Sequence, residues 1–226
     1  MEESKDEETQ GENEAVSCDL PTLLQFPLKE DMKPSDFYPH FRKIAHKILN
    51  GCALVAKTDG KVKLFRIIEI EFYCKHEKLH NDNFAHQDVD QLEFLKWYFH
   101  KAGKSYKGGT YKGIDIAFGR KDDKLYGGIL MRTLQDSSTM EVHEGSCNLV
   151  NKMFKFFDSN EVKDFIEDNP HFSKSDIHKK MSVEDVIKLK NDDKANALTL
   201  VEFTGGRSGF WKSRPVYRYI RFFNLT

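Results

Sequence analysis

The sequence predicts a single α+β domain, residues 24–226, behind an acidic tail, residues 1–23. Some segments repeat apolar residues at helical spacing and others alternate them, yet no regular βαβ succession links the two kinds. With 226 residues, 39% of them hydrophobic, the chain suffices for one good-sized core. No window approaches the ~18 uninterrupted apolar residues of a membrane helix, so no membrane partner is expected.

Met1 to Asp19 carry eight acidic residues against Lys5 alone, a net of −7, which leaves +6 on the rest of a chain whose total is −1. A like-charged, aromatic-free segment is expected to be disordered. The mildly basic remainder admits an anionic partner without demanding one. Cys18, Cys52, Cys74 and Cys147 are scattered and form no CxxC pair, which fits free thiols better than a disulfide frame or a zinc site. The opening residues lack an apolar signal region, so a nuclear or cytoplasmic location is expected.

In "PSDFYPHFRKIAHKILNG" the residues Phe41, Ile44, Ala45, Ile48 and Leu49 mark a helix, with Ser35 or Asp36 at its start and Asn50-Gly51 at its stop. "CALVAK" reads as a strand, "TDGK" as a hairpin turn, and Val62 to Tyr73 as the return strand. Phe84 to Gly119 is rich in Gly, His, Lys and aromatics without a clean period. "GGILMRTL" is a short buried strand. Cys147 to Phe157 is a helix with Leu149, Met153 and Phe156 or Phe157 on one side. Glu161 to Leu189 reads as short helices, with Ser182 and Asp185 as a capping box. "ALTLVEF" and "RPVYRYIRFF" close the chain as strands.

Two glutamates interrupt the apolar run "FRIIEIEFYCKH". Residues two apart on a strand share a face, so Glu69, Glu71 and Tyr73 project together, with Phe65 and Ile67 on their side and Val62, Leu64, Ile68, Ile70 and Phe72 opposite. Spacing alone leaves two readings: carboxylates that merely face water, or Glu71 in a pocket activating a water molecule. A two-carboxylate glycosidase also stays open, since side-chain separation decides that mechanism.

"FHKAGKSYKGGTYKG" contains Lys101, Lys104, Lys107 and Lys112, no acid, and the aromatics Tyr106 and Tyr111. Glycines let backbone N–H groups approach an anion, lysines supply charge for phosphates, and tyrosine offers a face for stacking or wedging. Its spacing is not that of a Walker A loop. "GRSGFWKSRPVYRYIR" is a second acid-free basic stretch, with Arg207, Lys212, Arg214, Arg218 and Arg221. Each alone is equally a solvated basic loop or edge strand. His76, His80, His86 and His100 form no metal-ligand spacing and are expected to pack or hydrogen-bond. Neither a metal nor another cofactor is expected.

The order of these pieces resembles the alkyladenine (3-methyladenine) DNA glycosylases, as a distant member. "IIEIEFY" stands where that family has V/I-E-T-E-A-Y, and "FHKAGKSYKGGTY" reproduces its F-x-K-x-G-x-x-Y-x4-Y framework. "EGSCNLVNKM" is similar to its G-P-S-x-L helix start and "GFWKSRPVYRYI" to its closing strand. The likeness runs from about Leu54 to Ile220. It implies a mixed, mostly antiparallel curved sheet flanked by helices, with residues 158–193 as a helical insertion. It implies Glu71 as general base, and a base pocket of Tyr73, His86, Asp115 (at a family asparagine) and Arg132. Tyr111 would intercalate, and Lys104, Tyr106, Lys107, Lys112, Lys212 and Arg214 would meet the DNA backbone. Gly108 stands where the family has a second stacking tyrosine, and Lys112 where it has a glycine.

The activity so implied is hydrolytic release of a modified purine from double-stranded DNA by a monomer, with base flipping and no strand cleavage. Two alternatives are a nucleic-acid-binding protein that kept the fold and lost catalysis, and a hydrolase of nucleosides or RNA.

Overall fold

Asp59 and Gly60 take φ of 34° and 77° and close a two-residue hairpin between β1 (Cys52–Thr58) and β2 (Lys61–His76). Both central residues at positive φ match the right-handed twist of the flanking strands, which is why Asp-Gly marks such turns. The computed structural model describes residues 20–174, 176–177, 186–191, 200–204 and 217–221. The further strands are β3 (His80–Asn81), β4 (Phe94–Phe99), β5 (Lys101–Ala102), β6 (Ser105–Tyr106), β7 (Ile114–Phe118), β8 (Tyr126–Asp136), β9 (Val142–Glu144), β10 (Ile187–Asn191), β11 (Leu200–Thr204) and β12 (Tyr217–Arg221).

The described chain is one mixed α+β domain around a curled antiparallel sheet. The strand order is β10-β1-β2-β8-β7-β4, with β5 and β6 forming a separate hairpin. One edge of β2 is shared: Lys61 to Arg66 pair with β1, and Glu69 to Phe72 pair with β12. Ile177 links the two ends of the order. Its N–H donates to Leu95 of β4 at 3.1 Å, and its carbonyl accepts from Leu189 of β10 at 2.8 Å. The Trp97 indole N–H also donates to the Ile187 carbonyl, at 3.1 Å.

Among the described residues four helices cover the core face: α1 (Leu20–Leu24), α2 (Tyr38–Gly51), α3 (Ser146–Phe156) and α4 (Val162–Asp168). A 3₁₀ turn, Pro34–Phe37, leads into α2, where the Asp36 carboxylate accepts from the Lys33 N–H at 2.8 Å. All five expected apolar positions of α2 are buried. Phe41 stacks on Phe72 of β2 with centroids 4.5 Å apart, and Phe118 and Tyr219 meet Phe72 edge-on. Under α3 and α4, Phe99, Phe154, Phe165 and Phe172 form a second aromatic cluster.

The expected alternation along β2 fails at one place. Ile67 pairs with Leu134 and Glu69 with Thr133, so Ile68 is an extra residue on β2; Ile70 then pairs with Met131, so Arg132 is an extra residue on β8. The two bulges cancel, and the register beyond them is the register before them. A bulge shifts the facing of later residues by one. Phe65 and Ile67 therefore lie in the core with Ile70 and Phe72, not beside the glutamates as expected, while Val62 and Leu64 are exposed. The bulge sits where β2 changes partner from β1 to β12.

Further departures are local. Leu20 and Leu24 are fully buried, so the fold begins by Leu20 rather than at Leu24. Ile187–Asn191 is a strand where helix was expected, because Ile187 and Leu189 extend the sheet against β1 and bury there. In α3 the buried aromatic is Phe154, while Phe156 and Phe157 are half-buried. Ser182, Asp185 and residues 1–19 lie outside the described residues. Cys52, Cys74 and Cys147 are free thiols. Among the described residues no helix is long and apolar enough to cross a membrane.

Candidate active site

The sheet face opposite the core carries the polar cluster. Past the Ile68 bulge, Glu69, Glu71 and Tyr73 share that face. Glu71 stands opposite Leu130, Leu130 opposite Asp115, and Asp115 opposite Tyr98, so one row crosses four strands. Directly paired residues share a face, and strands lie ~4.8 Å apart, which sets the Glu71 and Asp115 backbones ~10 Å from each other. The next row holds Tyr73, Gly128 and Ala117.

Both carboxylates are buried, Glu69 at 6% and Glu71 at 1% exposure, which rules out the water-facing reading of the strand. Burying two such groups is costly unless cations and hydrogen bonds offset it. The Tyr73 hydroxyl donates to Glu71 Oε2 at 2.7 Å, and the Thr133 hydroxyl to Glu69 Oε2 at 2.7 Å. Arg132 Nε lies 3.7 Å from Glu71 Oε1 and 3.8 Å from Glu69 Oε1, one guanidinium serving two carboxylates. The bulge that adds Arg132 to β8 sets this guanidinium beside them.

The second cluster centres on Asp115, also 1% exposed. His100 Nε2–H donates to its Oδ1 at 2.8 Å, and the Gln91 amide lies 3.5 Å from its Oδ2. Gly128 makes this geometry feasible: a Cβ there would lie 2.4 Å from Asp115 Oδ2. A glycine inside a strand commonly marks such a close approach. The Asp115 carboxylate and the Gln91 amide thus close over Gly128.

His86 joins the cluster edge-on to His100, with ring centroids 4.4 Å apart. Burial, then the neighbouring His100 and Lys107, pushes its imidazole pKa down to about 4. At neutral pH the ring is uncharged, and its contacts fix the tautomer. Lys107 Nζ donates to Nε2 at 3.3 Å, so the proton is on Nδ1, which donates to the Tyr98 hydroxyl at 3.1 Å. Burial raises the Tyr98 hydroxyl well above its ordinary value, so it too stays neutral.

The expected site residues thus divide. Glu71, Tyr73 and Arg132 are in direct contact; Asp115, His86 and Lys107 are joined through His100; and Leu130 and Gly128 separate the two groups on one face. Tyr111 is 75% exposed, on a 3₁₀ turn, Gly109–Tyr111, beside them. Lys104 is exposed near the tip of the β5–β6 hairpin, and Tyr106 is half-buried with Lys101 Nζ 5.4 Å from its ring. Lys112 departs from its expected role. It is 6% exposed, and its ammonium donates to Asn151 Oδ1 and the Asn160 carbonyl, both at 3.1 Å, so it does not face an external phosphate. Lys212 and Arg214 lie outside the described residues.

Sequence reasoning missed three contributors: Gly128, Thr133 and the role of His100. The paired glycine inside "GGILMRTL" was the available signal for the first; nothing local signals the other two. Among the described residues no group of three or more His, Cys, Asp or Glu side chains is arranged to hold a metal ion.

No family model matches the chain. An uncharacterized protein of Acanthamoeba polyphaga mimivirus, L759, is 37% identical over 135 residues, which cover 54% of this chain and 60% of that protein. The chain thus spans about three fifths of the length of the curated relative it matches.

Proposed function

We propose that this protein hydrolyses the N-glycosidic bond of a modified purine in double-stranded DNA, acting as a monomer in the nucleus or cytoplasm. The observation that carries the reading is Glu71, a carboxylate at 1% exposure held by Tyr73 and Arg132 on the face that also bears Asp115 and His86. Packing does not require an acid there, because Ile70 and Phe72 already complete the core face of the same strand. A buried carboxylate oriented by a hydroxyl and a guanidinium is what general-base catalysis needs.

In this reading a nucleotide rotates out of the duplex at a cost of a few kcal/mol, least for a damaged or mispaired base. Its base lies between Tyr73 and the neutral ring of His86, in a pocket that Asp115 and Arg132 complete. Glu71 accepts a proton from a water whose oxygen bonds to C1′ of the sugar. The C1′–N bond breaks and the base leaves with the electron pair. The carboxylate also stabilises the oxocarbenium-like sugar. Tyr111 fills the gap in the duplex, and Lys104 meets phosphate. Strand cleavage is not expected.

One observation favours a second reading: Glu69 is buried beside the same guanidinium, so the two glutamates would act as a pair. Its hydrogen bond from Thr133 instead suits a supporting role for Glu69.

A cleavage screen tests the proposal. Duplexes carrying hypoxanthine, ethenoadenine or an alkylated purine are incubated with the protein, and abasic sites are revealed by alkali. Release from at least one duplex is expected. Binding without release from any of them would leave a nucleic-acid-binding protein, and release only from nucleosides or RNA a hydrolase of another class.

A further inference from the structure

The exposed turn that bears Tyr111 is fastened at both flanks. Before it, Gly109 takes φ of 56°, and the Cys147 thiol donates to its carbonyl at 3.0 Å. After it, Lys112 turns inward. Its ammonium reaches Asn151 on α3 and the Asn160 carbonyl before α4, lies 3.9 Å from Glu161, and sits 5.8 Å from the Phe154 ring centroid. Gly113 follows, where a Cβ would lie 2.5 Å from the His100 ring, and its carbonyl accepts from the His100 N–H at 3.0 Å. The segment from Gly109 to Gly113 thus runs from α3 to the histidine that holds Asp115.

A buried ammonium is expensive unless its donors are satisfied, and burying one next to a 75%-exposed tyrosine calls for a reason. A lysine needed only for phosphate would stay in water. We propose that Lys112 is a positioning residue for Tyr111: an internal strut that holds the turn rigid with the aromatic ring outward, so that ordering is not lost again when the ring inserts into a nucleic-acid stack. The inference rests on the DNA reading for what Tyr111 does, but not for how the turn is held. Preorganisation of this kind saves the ordering entropy of binding. A charged hydrogen-bond donor is the stronger anchor because its bonds exceed neutral ones.

The test uses the full chain with Lys112→Met, which keeps the stem and removes the donors, Asn151→Leu, which removes an acceptor from the other side, and Lys112→Arg. Hydrogen–deuterium exchange of the peptide spanning residues 108–113 reads the turn without DNA. Lys112→Met should speed exchange there by about tenfold or more, Asn151→Leu by less, and Lys112→Arg should restore most of the protection. With duplex DNA, Lys112→Met should lower the preference for lesion over plain duplex by about fivefold or more. It should leave the salt dependence unchanged and add nothing to Tyr111→Ala. Unaltered exchange in both Lys112→Met and Asn151→Leu overturns the proposal. So does a salt slope that falls by about 0.9, since Lys112 would then be a phosphate contact. If Lys112→Met does not fold, Asn151→Leu and Lys112→Arg decide by the same exchange measurement. If the protein shows no preference for lesions, the exchange result still stands, and only the role assigned to Tyr111 falls.

Discussion

Gly128→Ala should be among the most damaging single-methyl additions to this protein. The new Cβ would lie 2.4 Å from Asp115 Oδ2 and 3.0 Å from Gln91 Nε2. Ordinary contact requires the carboxylate oxygen to retreat by about 1 Å. Asp115 is 1% exposed and holds His100 at 2.8 Å, so it cannot retreat without loosening that hydrogen bond. Overpacking a well-filled site costs about 1–3 kcal/mol, and weakening a buried charge-assisted hydrogen bond about 1.5–3 kcal/mol. Because both losses come from one displacement, a total of about 3 kcal/mol is reasonable, or roughly 6–12 °C in Tm for a chain this size. Urea and thermal unfolding of Gly128→Ala measure it, with Gly128→Ala/Asp115→Ala as control. Shortening Asp115 removes the clashing oxygen, so the double variant should be more stable than the two single losses added together. A Gly128→Ala protein within about 0.5 kcal/mol of the parent would show that the close approach constrains nothing.

Two other variants probe the same face. His86 has its pKa pushed down to about 4 from 6.5, so between those values the unfolded chain binds the proton more readily. Its contribution therefore lowers stability as pH falls from 6.5 toward 4, and His86→Asn should lose less stability between pH 7 and pH 5 than the parent. Titration of the His86 ring by NMR checks the cause directly, and a pKa at or above 6.5 would contradict it. Tyr111→Ala removes a 75%-exposed ring and should shift unfolding by no more than about 0.5 kcal/mol. It should weaken binding to a lesion duplex more than to plain duplex, with 2-aminopurine fluorescence beside the lesion reporting extrusion. Equal losses on both duplexes would make Tyr111 a backbone contact.

Local signals carried much of this architecture. Asp59-Gly60 announced its turn, the apolar stripe of α2 its buried side, and the alternation Glu69, Glu71, Tyr73 a common face. What alternation could not supply was the bulge. In "RIIEI" either isoleucine could be the extra residue, and the compensating extra residue, Arg132, lies on a strand that β2 meets only through long-range pairing. The parity of Phe65 and Ile67 was misread for that reason. The inward turn of Lys112 was equally hidden, since lysine normally seeks water and its acceptors on Asn151 and Asn160 are about 40 or more residues away. His100 was legible only as a histidine near others, because its partnership with Asp115 depends on how β4 pairs with β7.

The central claim is that Glu71 is the general base and Glu69 a supporting neighbour. Single-turnover base release on whichever lesion duplex the cleavage screen finds tests it most directly, with the parent, Glu71→Gln and Glu69→Gln compared at matched, saturating protein. Glutamine keeps the shape and can still accept the Tyr73 hydroxyl bond, but it cannot take a proton from water. Glu71→Gln should slow release by ~10²-fold or more with duplex affinity about unchanged, while Glu69→Gln should alter the rate only modestly. Equal losses in both variants would replace the single base with a carboxylate pair. Release by Glu71→Gln at the parent's rate would contradict the assignment outright.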